Sequence, residues 1–352
     1  MTSLDPPRRV DVHAFGGPEN LRVVRDGPGA DLEPGEVRVR VLASSLTLSD
    51  SIVRRGMNPY TSTLPRPFTL GYDLVGVVAD AGADGRLAAG DLVADLTRWG
   101  ANADLVVRPA GSLTRLPPDL ARLDPVLLEP LVMTGVTAYQ SVHRAAGVAS
   151  GQTVLVHGAT GGVGLLLVEL AALAGARVVA TGSPAKHDAL RARGATPLDG
   201  RAADLADRVR AAAPDGVDAV FDGVGGPSRA AVATALRPGG TFVGFGFAGP
   251  AGRVHALTPE TLGHTAAVLA EGRAVLDRLA ASGRTAVEYE VGTAREQDRA
   301  AYDADLITLA RLVAAGELRP RVEPVPLAEV ADGHARVDAA AVTGRLVLDH
   351  RR

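Results

Sequence analysis

The sequence predicts an α/β protein in which a β-rich part comes first and a doubly wound parallel sheet follows. Its 352 residues exceed what one hydrophobic core usually serves, so two domains are expected. Residues 8–109 form short apolar runs separated by glycine and proline turns, without strand–helix alternation. From about residue 150 onward, strand-like and helix-like segments alternate, which is typical of a parallel sheet with helices on both faces.

The first part contains several short strands. Residues 36–42 alternate apolar and polar side chains and predict a half-exposed strand, whereas residues 43–56 predict a turn and a short helix ending near Gly56. Further strands are predicted at 65–78, 90–94 and 104–107.

The second part begins with a predicted helix over 123–146, interrupted around 133–139. The later predicted strands are 177–181, 217–222, 241–245, 284–291 and 345–349, and the later predicted helices are 184–193, part of 199–213, 228–236, 258–281 and 298–314.

A glycine cluster lies between a β-type run at 154–156 and a helix predicted at 165–174. Gly158 and Gly161 allow a tight turn and close approach to a pyrophosphate, and Gly164 allows the helix to pack closely on the strand. The spacing is Gly-x-x-Gly-x-x-Gly rather than Gly-x-Gly-x-x-Gly. A glycine-rich turn without a ligand is the alternative, but the flanking strand and helix favour a dinucleotide site.

Composition excludes several classes of function. A net charge of −3 gives no argument for nucleic acid or an anionic membrane, and no apolar run reaches membrane-spanning length. The complete lack of cysteine excludes disulfides, zinc–thiolate sites and a cysteine nucleophile. The histidines show no metal-binding spacing, so no metal site is predicted. The first residues lack the apolar core of a signal peptide, and a cytoplasmic protein is expected.

An ordered set of motifs resembles the zinc-independent quinone oxidoreductase (NADPH:quinone reductase-like) branch of the medium-chain dehydrogenase/reductase superfamily. The motifs run almost end to end: Gly17-Pro-Glu, Asp50 with Arg55-Gly56, Gly71-x-Asp73-x-x-Gly76, Gly90-Asp-x-Val, Thr137-Ala-Tyr139, Gly161-Gly-Val-Gly164, Ser183-x-x-Lys186, Gly194-Ala, Asp222-x-Val-Gly225 and Gly344-x-Leu-Val-Leu. The resemblance implies a GroES-like β-rich catalytic domain split around a Rossmann domain. The expected boundaries are 1–122 and 293–352 for the catalytic domain and 123–292 for the Rossmann domain.

The departures from the zinc-dependent relatives are specific. Those relatives carry Cys at the position of Thr47 and His at the position of Tyr72, and neither replacement offers the thiolate or imidazole that suits zinc. The quinone oxidoreductase branch usually has Asn at position 47, beside the nicotinamide, and Pro at position 48. The resemblance therefore implies a zinc-free reductase in which the role of Thr47 is open.

NADPH is the predicted cofactor. The strand predicted at 177–181 is followed by Gly182-Ser183 without an acidic residue that would repel a 2′-phosphate, and Lys186 follows closely. A solvated surface lysine is the alternative, but this is the chain's only lysine. In family terms Thr134 and Thr137 lie near the nicotinamide, with 221–225 and 245–246 on its other side; the alternative is helix packing and core. The predicted cofactor-binding residues are Thr134, Thr137, Gly158, Thr160, Gly161, Gly162, Val163, Gly164, Gly182, Ser183, Lys186, Gly223, Val224, Phe245 and Gly246.

The predicted reaction is hydride delivery to a conjugated carbonyl compound, an enone or a quinone. Without a metal to polarise a carbonyl, simple alcohol oxidation lacks its usual electrophile. Tyr60, Tyr72 and Thr47 are the candidate hydroxyl donors, although either tyrosine could instead be a packed aromatic. Asp50 and Asp73 are expected at most to orient loops.

Two alternatives stay open. One is a reductive cyclase of a natural-product pathway, in which hydride addition is followed by ring closure; the other is an NADPH-binding protein without turnover. The expected partner is a small-molecule substrate. Residues 284–291 resemble the edge strand through which relatives dimerise, so a homodimer is expected.

Overall fold

The protein is described by a computed structural model that covers residues 6–25, 31–58, 61–82, 85–246 and 259–352. The strands are β1 (Arg8–Val12), β2 (Leu21–Arg25), β3 (Glu36–Leu46), β4 (Phe68–Thr69), β5 (Asp73–Asp80), β6 (Leu92–Leu96), β7 (Leu105–Pro109), β8 (Thr114–Arg115), β9 (Thr153–His157), β10 (Arg177–Gly182), β11 (Thr196–Asp199), β12 (Val217–Asp222), β13 (Leu236–Gly244), β14 (Thr285–Glu288), β15 (Val322–Pro326) and β16 (Arg345–Asp349).

The helices surround the sheets. They are α1 (Leu48–Arg54), α2 (Pro125–Pro130), α3 (Val136–Gln140), α4 (Gly162–Leu173), α5 (His187–Arg191), α6 (Leu205–Ala212), α7 (Pro227–Ala233), α8 (Pro259–Ala281), α9 (Val291–Gln297), α10 (Arg299–Ala314) and α11 (Val330–Asp338). Two π-helical segments, Leu131–Gly135 and Ser141–Ala145, flank α3. None of the helices in the described ranges is long and apolar enough to cross a membrane.

The first large sheet is parallel, in the order β11-β10-β9-β12-β13-β14. Its central strand β9 is fully buried from Val154 to Val156 because helices cover both faces. Strand order reverses between β9 and β12, and the crevice at the carboxyl ends of strands at such a point is where ligands bind in doubly wound sheets. The predicted α/β class is confirmed.

The second large sheet joins the two ends of the chain. Its order is β15-β16-β3-β5-β6-β8, with β7 also paired to β3, and a separate small sheet has the order β2-β1-β4. Strand β16 pairs antiparallel with β3, Leu346 opposite Leu46. The β-rich domain is therefore split around the parallel sheet, as the family resemblance implies.

Some elements differ from the sequence prediction. Residues 43–46, predicted as a turn, extend β3 because β16 supplies them with a hydrogen-bonding partner. The predicted strand 284–291 is shorter, since Glu290 caps α9 with its side chain. Strands β11 and β15 and helices α9 and α11 were not predicted. Strand β14 is an edge of the described parallel sheet; the homodimer stays a prediction.

Candidate active site

The glycine loop connects β9 to α4. Gly158 has a φ of +85°, a left-handed conformation that favours glycine, and this residue makes the predicted tight turn. A Cβ on Gly164 would lie 2.4 Å from the Gly158 carbonyl oxygen and 2.6 Å from the Ala159 Cα. The close packing predicted for Gly164 is therefore made against the backbone of the loop that follows the strand.

The N-terminus of α4 has the properties of an anion site. Its N-cap, Gly161, is exposed and provides no side-chain cap. A Cβ on Gly161 would meet only the Gly158 carbonyl oxygen, at 3.9 Å, so the space above the loop is open. The first N–H groups of a helix have no intrahelical acceptor, and together with the helix dipole they favour a phosphate here. The loop residues Gly162 and Val163 begin this helix and are half-buried.

A buried histidine, His157, is part of the hydrogen-bond network that holds the start of the glycine loop. The Nδ1 of His157 lies 2.7 Å from the Thr181 Oγ1, which also accepts a 3.0 Å hydrogen bond from the Gly158 N–H. The His157 Nε2 lies 2.9 Å from the Ser228 Oγ on α7. Burial lowers the pKa of His157, so a neutral imidazole joins β9, β10 and α7.

The end of β10 lies against the same loop. A Cβ on Gly182 would come within 2.6 Å of the Thr160 Cγ2, so glycine lets the two segments touch. Ser183 follows as the N-cap of a short 3-10 turn that ends at Lys186. The Nζ of Lys186 donates to the carbonyls of Ala340, at 2.8 Å, and Val342, at 2.7 Å. Two of its three N–H bonds are thus directed at the turn before β16.

A second cation at this edge was missed by the sequence reasoning. Arg201 is exposed and lies two residues beyond β11, whose Asp199 is opposite Gly182 on β10. Its charge contributes, after burial, to lowering the pKa of Lys186, so the two cations are close. Among the described residues the guanidinium of Arg201 has no hydrogen-bond partner. Arg201 was not predicted as a site residue because the sequence did not predict strand β11, whose pairing with β10 brings Arg201 to this edge.

The opposite wall of the crevice is formed by the residues after β12 and β13. Asp222 Oδ1 accepts from the N–H groups of Val224 and Gly225, at 3.0 Å each, while its Oδ2 accepts from Arg229 Nε at 2.7 Å. A Cβ on Gly223 would meet the Phe245 ring at 2.6 Å.

Contacts with the glycine loop complete this wall. Val224 also approaches the loop, with its Cγ2 2.9 Å from a Cβ built on Gly158. Gly246 packs on Gly223, whose carbonyl oxygen is 3.1 Å from a Cβ built on Gly246. The predicted residues of this wall therefore lie together.

Thr134 lies on the π-helical segment before α3, and Thr137 lies in α3 itself. The Thr134 hydroxyl donates to the Pro130 carbonyl, and the Thr137 hydroxyl donates to the Met133 carbonyl at 2.7 Å. Both hydroxyl protons are therefore used in hydrogen bonds to the helix backbone, which is the arrangement that the helix-packing alternative predicts. Thr134 also borders the glycine loop, because its Cγ2 lies 3.5 Å from a Cβ built on Gly162. π-helical turns are frequent at functional sites.

Thr47 and Asp50 form the start of α1 on the catalytic-domain side. Thr47 is the N-cap, and its side chain and that of Asp50 form a capping box. The Thr47 Oγ1 lies 2.7 Å from the Asp50 Oδ2, which also accepts from the Thr47 N–H at 2.8 Å. Burial is the main cause that raises the pKa of Asp50 to about 6.

Tyr72 lies on the turn before β5 and is 9% exposed. Its N–H donates to the Ser45 Oγ at 2.6 Å, and the Ser45 hydroxyl donates to the Asp50 Oδ1 at 3.0 Å. Burial raises the pKa of the Tyr72 phenol, with Glu290 adding to the shift and Arg98 opposing it. The phenol is therefore a neutral donor over the physiological range. The other predicted tyrosine, Tyr60, lies outside the described residues.

A buried group of charges beneath these residues was not predicted. Arg345, the first residue of β16, donates through Nη2 to Asp73, at 2.7 Å, and to Glu129, and through Nη1 to the Thr134 Oγ1 at 3.2 Å. Burial, opposed by Arg345, raises the pKa of Glu129 well above its usual value. We call Asp50, Asp73 and Glu129 the buried acid cluster.

The cluster is next to the glycine loop. The Met133 N–H donates to Asp73 at 3.1 Å, and the Ser49 hydroxyl lies 3.8 Å from the Met133 sulfur. The Gly344 N–H donates to the Thr160 carbonyl at 3.0 Å, just before Arg345. These contacts bring the catalytic-domain residues to the same crevice as the glycine loop. The open, uncapped helix start and the glycine-lined walls fit a dinucleotide.

Two sequence families match parts of the chain. Residues 33–118 match the family described as alcohol dehydrogenase GroES-like domain, and residues 194–348 match the family described as zinc-binding dehydrogenase. Together with the fold, they show that the chain belongs to the medium-chain dehydrogenase/reductase superfamily, and it is an oxidoreductase of that type with a nicotinamide cofactor. In the described residues no group of three or more His, Cys, Asp and Glu side chains is placed to hold a metal ion.

Individual relatives refine the class. A quinone oxidoreductase of Pseudomonas syringae pv. Tomato DC3000 is 26% identical, covers 97% of this chain and 99% of its own, and has a TM-score of 0.80. A mycobacterial protein solved with NADPH is 26% identical over 97% of this chain and 99% of its own, with a TM-score of 0.79. These neighbours are consistent with the quinone oxidoreductase-like branch.

Curated relatives include very different proteins. The Mus musculus synaptic vesicle membrane protein VAT-1 homolog is 29% identical, over 97% of this chain and 84% of its own length. The spectinabilin polyketide synthase system protein NorB of Streptomyces orinoci is 36% identical over 62% of this chain, but the match spans only 10% of that protein.

Proposed function

We propose that the protein is a zinc-free, NADPH-dependent reductase that delivers hydride to the β-carbon of a conjugated carbonyl compound, an enone or a quinone. The observation that carries this proposal is the donor set at the catalytic-domain side of the crevice. Thr47 and Tyr72 carry hydroxyls where zinc-dependent relatives carry a thiolate and an imidazole. Hydroxyls are poor ligands for zinc, but they are good hydrogen-bond donors to a developing enolate.

The choice of NADPH is supported by the adenosine end of the crevice. Strand β10 is followed by Gly182 and Ser183, so no carboxylate is there to repel a 2′-phosphate, and Lys186 and Arg201 supply positive charge. The mycobacterial relative solved with NADPH supports the same choice. The pyrophosphate would be held at the N-terminus of α4, by residues 161–163.

The bound dinucleotide supplies the hydride. The chain's residues then have to stabilise negative charge on the carbonyl oxygen and complete the reduction with a proton. Tyr72 suits the first task because its raised pKa keeps the phenol protonated, and a neutral donor in a water-poor site stabilises an oxyanion effectively. Burial of Tyr72 and Met133 limits access of water to this side.

A deuterium-transfer experiment tests the proposal. We expect C4-deuterated NADPH to place deuterium on the β-carbon of enones, and Tyr72→Phe to lower turnover by roughly a hundred- to a thousandfold with little change in NADPH binding. Treatment with a chelator should leave the rate unchanged. Deuterium on a carbinol carbon, or activity restored only by zinc, would contradict the proposal.

A second candidate is a reductive cyclase of a natural-product pathway. The similarity to NorB favours it, because that relative belongs to a polyketide synthase system. The same hydride step would then leave a carbanion, which closes a ring by attacking an electrophilic carbon of the same substrate; the electron pair displaced from that carbon goes to its π-bonded neighbour or departs with a leaving group. Mass and NMR analysis of the deuterated product separates the two, since ring closure and simple reduction give different carbon skeletons.

A further inference from the structure

The strongest unexplained feature is the hydrogen bond between a half-buried hydroxyl and a fully buried carboxyl. Asp50 is 1% exposed and has no path of its own to a substrate, whereas Thr47 is half-buried at the crevice. Their side-chain oxygens lie 2.7 Å apart, a normal O–H···O distance whichever of the two oxygens carries the proton. The capping box accounts for the 2.8 Å bond from the Thr47 N–H, but it does not require the bond between the two side chains.

The surroundings of Asp50 favour retention of a proton. Asp73 on β5 and Glu129 on α2 contribute negative charge, and Arg345 on β16 is the cation that faces all three acids. Ser45 on β3 donates to Asp50, and the nearby Tyr72 phenol is neutral. Three buried carboxyls around one guanidinium cannot all ionise at low cost. The raised pKa of Asp50, about 6, is consistent with this arrangement.

Thr47 is the N-cap of α1, and α1 is joined to the segment beside the dinucleotide loop by a neighbouring contact. Two residues further on, Ser49 contacts Met133 through its hydroxyl, at 3.8 Å from the sulfur. Thr134, which follows Met133 in the chain, has its Cγ2 3.5 Å from a Cβ built on Gly162. The start of α1 is therefore separated from the glycine loop by the segment that contains Met133 and Thr134.

We propose that Asp50 is the proton source of the reduction and that it acts through the Thr47 hydroxyl. The inference rests on the proposed function. When hydride adds to the β-carbon, the π electrons move to the α-carbon and the carbonyl oxygen. The Thr47 O–H bond breaks and its proton joins the α-carbon, while the Asp50 proton moves to the Thr47 oxygen. Asp50 is left as a carboxylate and regains a proton from water.

The position and stereochemistry of deuterium in the product of turnover in D₂O test this proton path directly. With unlabelled NADPH, the wild-type protein should place deuterium on one face of the α-carbon, because Thr47 delivers it from one side. Thr47→Ser keeps the hydroxyl and should behave in the same way. Thr47→Val and Asp50→Asn should give deuterium on both faces and lower turnover by roughly a hundredfold. Asp119→Asn, at an exposed position outside the crevice, is the matched control.

The pH profile adds a readout that a purely structural role would not change. Asp50 must be protonated to donate, so turnover should fall as pH rises through about 6 in the wild-type protein. This limb should be absent from Asp50→Asn. Single-face deuteration by Asp50→Asn at an undiminished rate would overturn the relay.

An equilibrium measurement needs no substrate. In protein labelled with ¹³C at aspartate carboxyls, the signal lost in Asp50→Asn should titrate near pH 6. Thr47→Val should move that midpoint upward, because the hydrogen bond from Thr47 lowers the Asp50 pKa. A midpoint near 4 would overturn the relay. If Asp50→Asn does not fold, the Thr47→Val and Thr47→Ser pair still decides the matter, and the wild-type carboxyl that shifts in Thr47→Val identifies Asp50.

Failure of the relay and failure of the proposed function give different results. If the wild-type protein reduces enones but Thr47→Val and Asp50→Asn keep single-face deuteration, the relay alone is wrong. If the wild-type protein reduces no enone or quinone, the proposed function is wrong and the relay falls with it.

Discussion

The two sides of the crevice are built in different ways. The dinucleotide side depends on backbone: a left-handed Gly158, an uncapped N-terminus of α4, and glycines at points where a Cβ would collide with its neighbours. The catalytic-domain side depends on buried side chains from four separate elements, which meet around Arg345. The glycine loop at the centre of the first side is one short stretch of sequence, whereas the second side exists only in the folded chain.

This difference should be visible in how each side fails when it is mutated. A backbone-built site tolerates loss of most side chains but not the addition of one in the wrong place. A site built on a buried ion network depends on every partner, because removal of one leaves a charge uncompensated in a low dielectric. Substitutions on the two sides test this contrast.

The largest expected effect is that of Arg345→Met. The substitution fills the space but leaves Asp73 and Glu129 buried without their cation, and breaking a buried pair costs roughly 3–5 kcal/mol. Urea unfolding at pH 7 should show the loss. Because protonated acids need no cation, the loss should shrink as pH falls.

A surface pair supplies the control for this prediction. Arg336 and Glu323 also form a close ion pair, at 2.7 Å, but their side chains are 42% and 55% exposed. Arg336→Met should therefore cost less than about 1 kcal/mol. Equal losses for the two methionine variants would mean that the buried network does not support the catalytic side.

The glycine loop should separate stability from binding. Gly164→Ala places a Cβ 2.4 Å from the Gly158 carbonyl oxygen, so the backbone must shift; overpacking of this kind costs roughly 1–3 kcal/mol. Gly161→Ala meets nothing closer than 3.9 Å and should leave stability unchanged, yet it fills the space proposed for the pyrophosphate. Thermal unfolding and NADPH titration of both variants check this. Unchanged NADPH affinity in a stable Gly161→Ala would remove the phosphate from this position.

The contrast also explains what the sequence could predict. The parallel sheet, the glycine loop and the role of Gly164 were predictable because strand, turn and helix are contiguous and each glycine has a local steric reason. Asp50 and Asp73 were noted as motif residues. Arg345, which binds Asp73, comes from the last strand and is 272 residues further along the chain. No local pattern indicates such a contact.

Strand β11 illustrates the same limit at smaller scale. It spans only Thr196–Asp199, includes a proline and is partly exposed, so it has neither the alternation nor the apolar run of a predictable strand. Its pairing with β10 brings Arg201 to the adenosine end. The motif around Lys186 predicts a contact with a 2′-phosphate, which stays a prediction, but it does not indicate the bonds of Lys186 to the turn before β16.

The smallest predicted effect concerns this pair of cations. Lys186 already donates to two carbonyls, whereas the exposed guanidinium of Arg201 has no hydrogen-bond partner within the described part of the chain. We therefore expect Arg201 to supply much of the preference for the 2′-phosphate. A hydrogen bond to a charged group contributes about 1.5–3 kcal/mol, and exposure favours the lower end, so Arg201→Ala should weaken NADPH binding by roughly tenfold without changing NADH binding.

Lys186→Ala sharpens this comparison because it removes two kinds of interaction at once. It should weaken NADPH binding and also lower thermal stability, since the carbonyls of Ala340 and Val342 lose their donor. Arg210→Ala, which removes an exposed arginine paired with Asp207 on α6, is the control and should change neither quantity. NADPH and NADH titrations at two salt concentrations check the assignment, because a phosphate contact weakens as salt rises. Equal losses of NADPH and NADH affinity in Arg201→Ala would show that this arginine stabilises the fold of the adenosine end instead of contacting a phosphate.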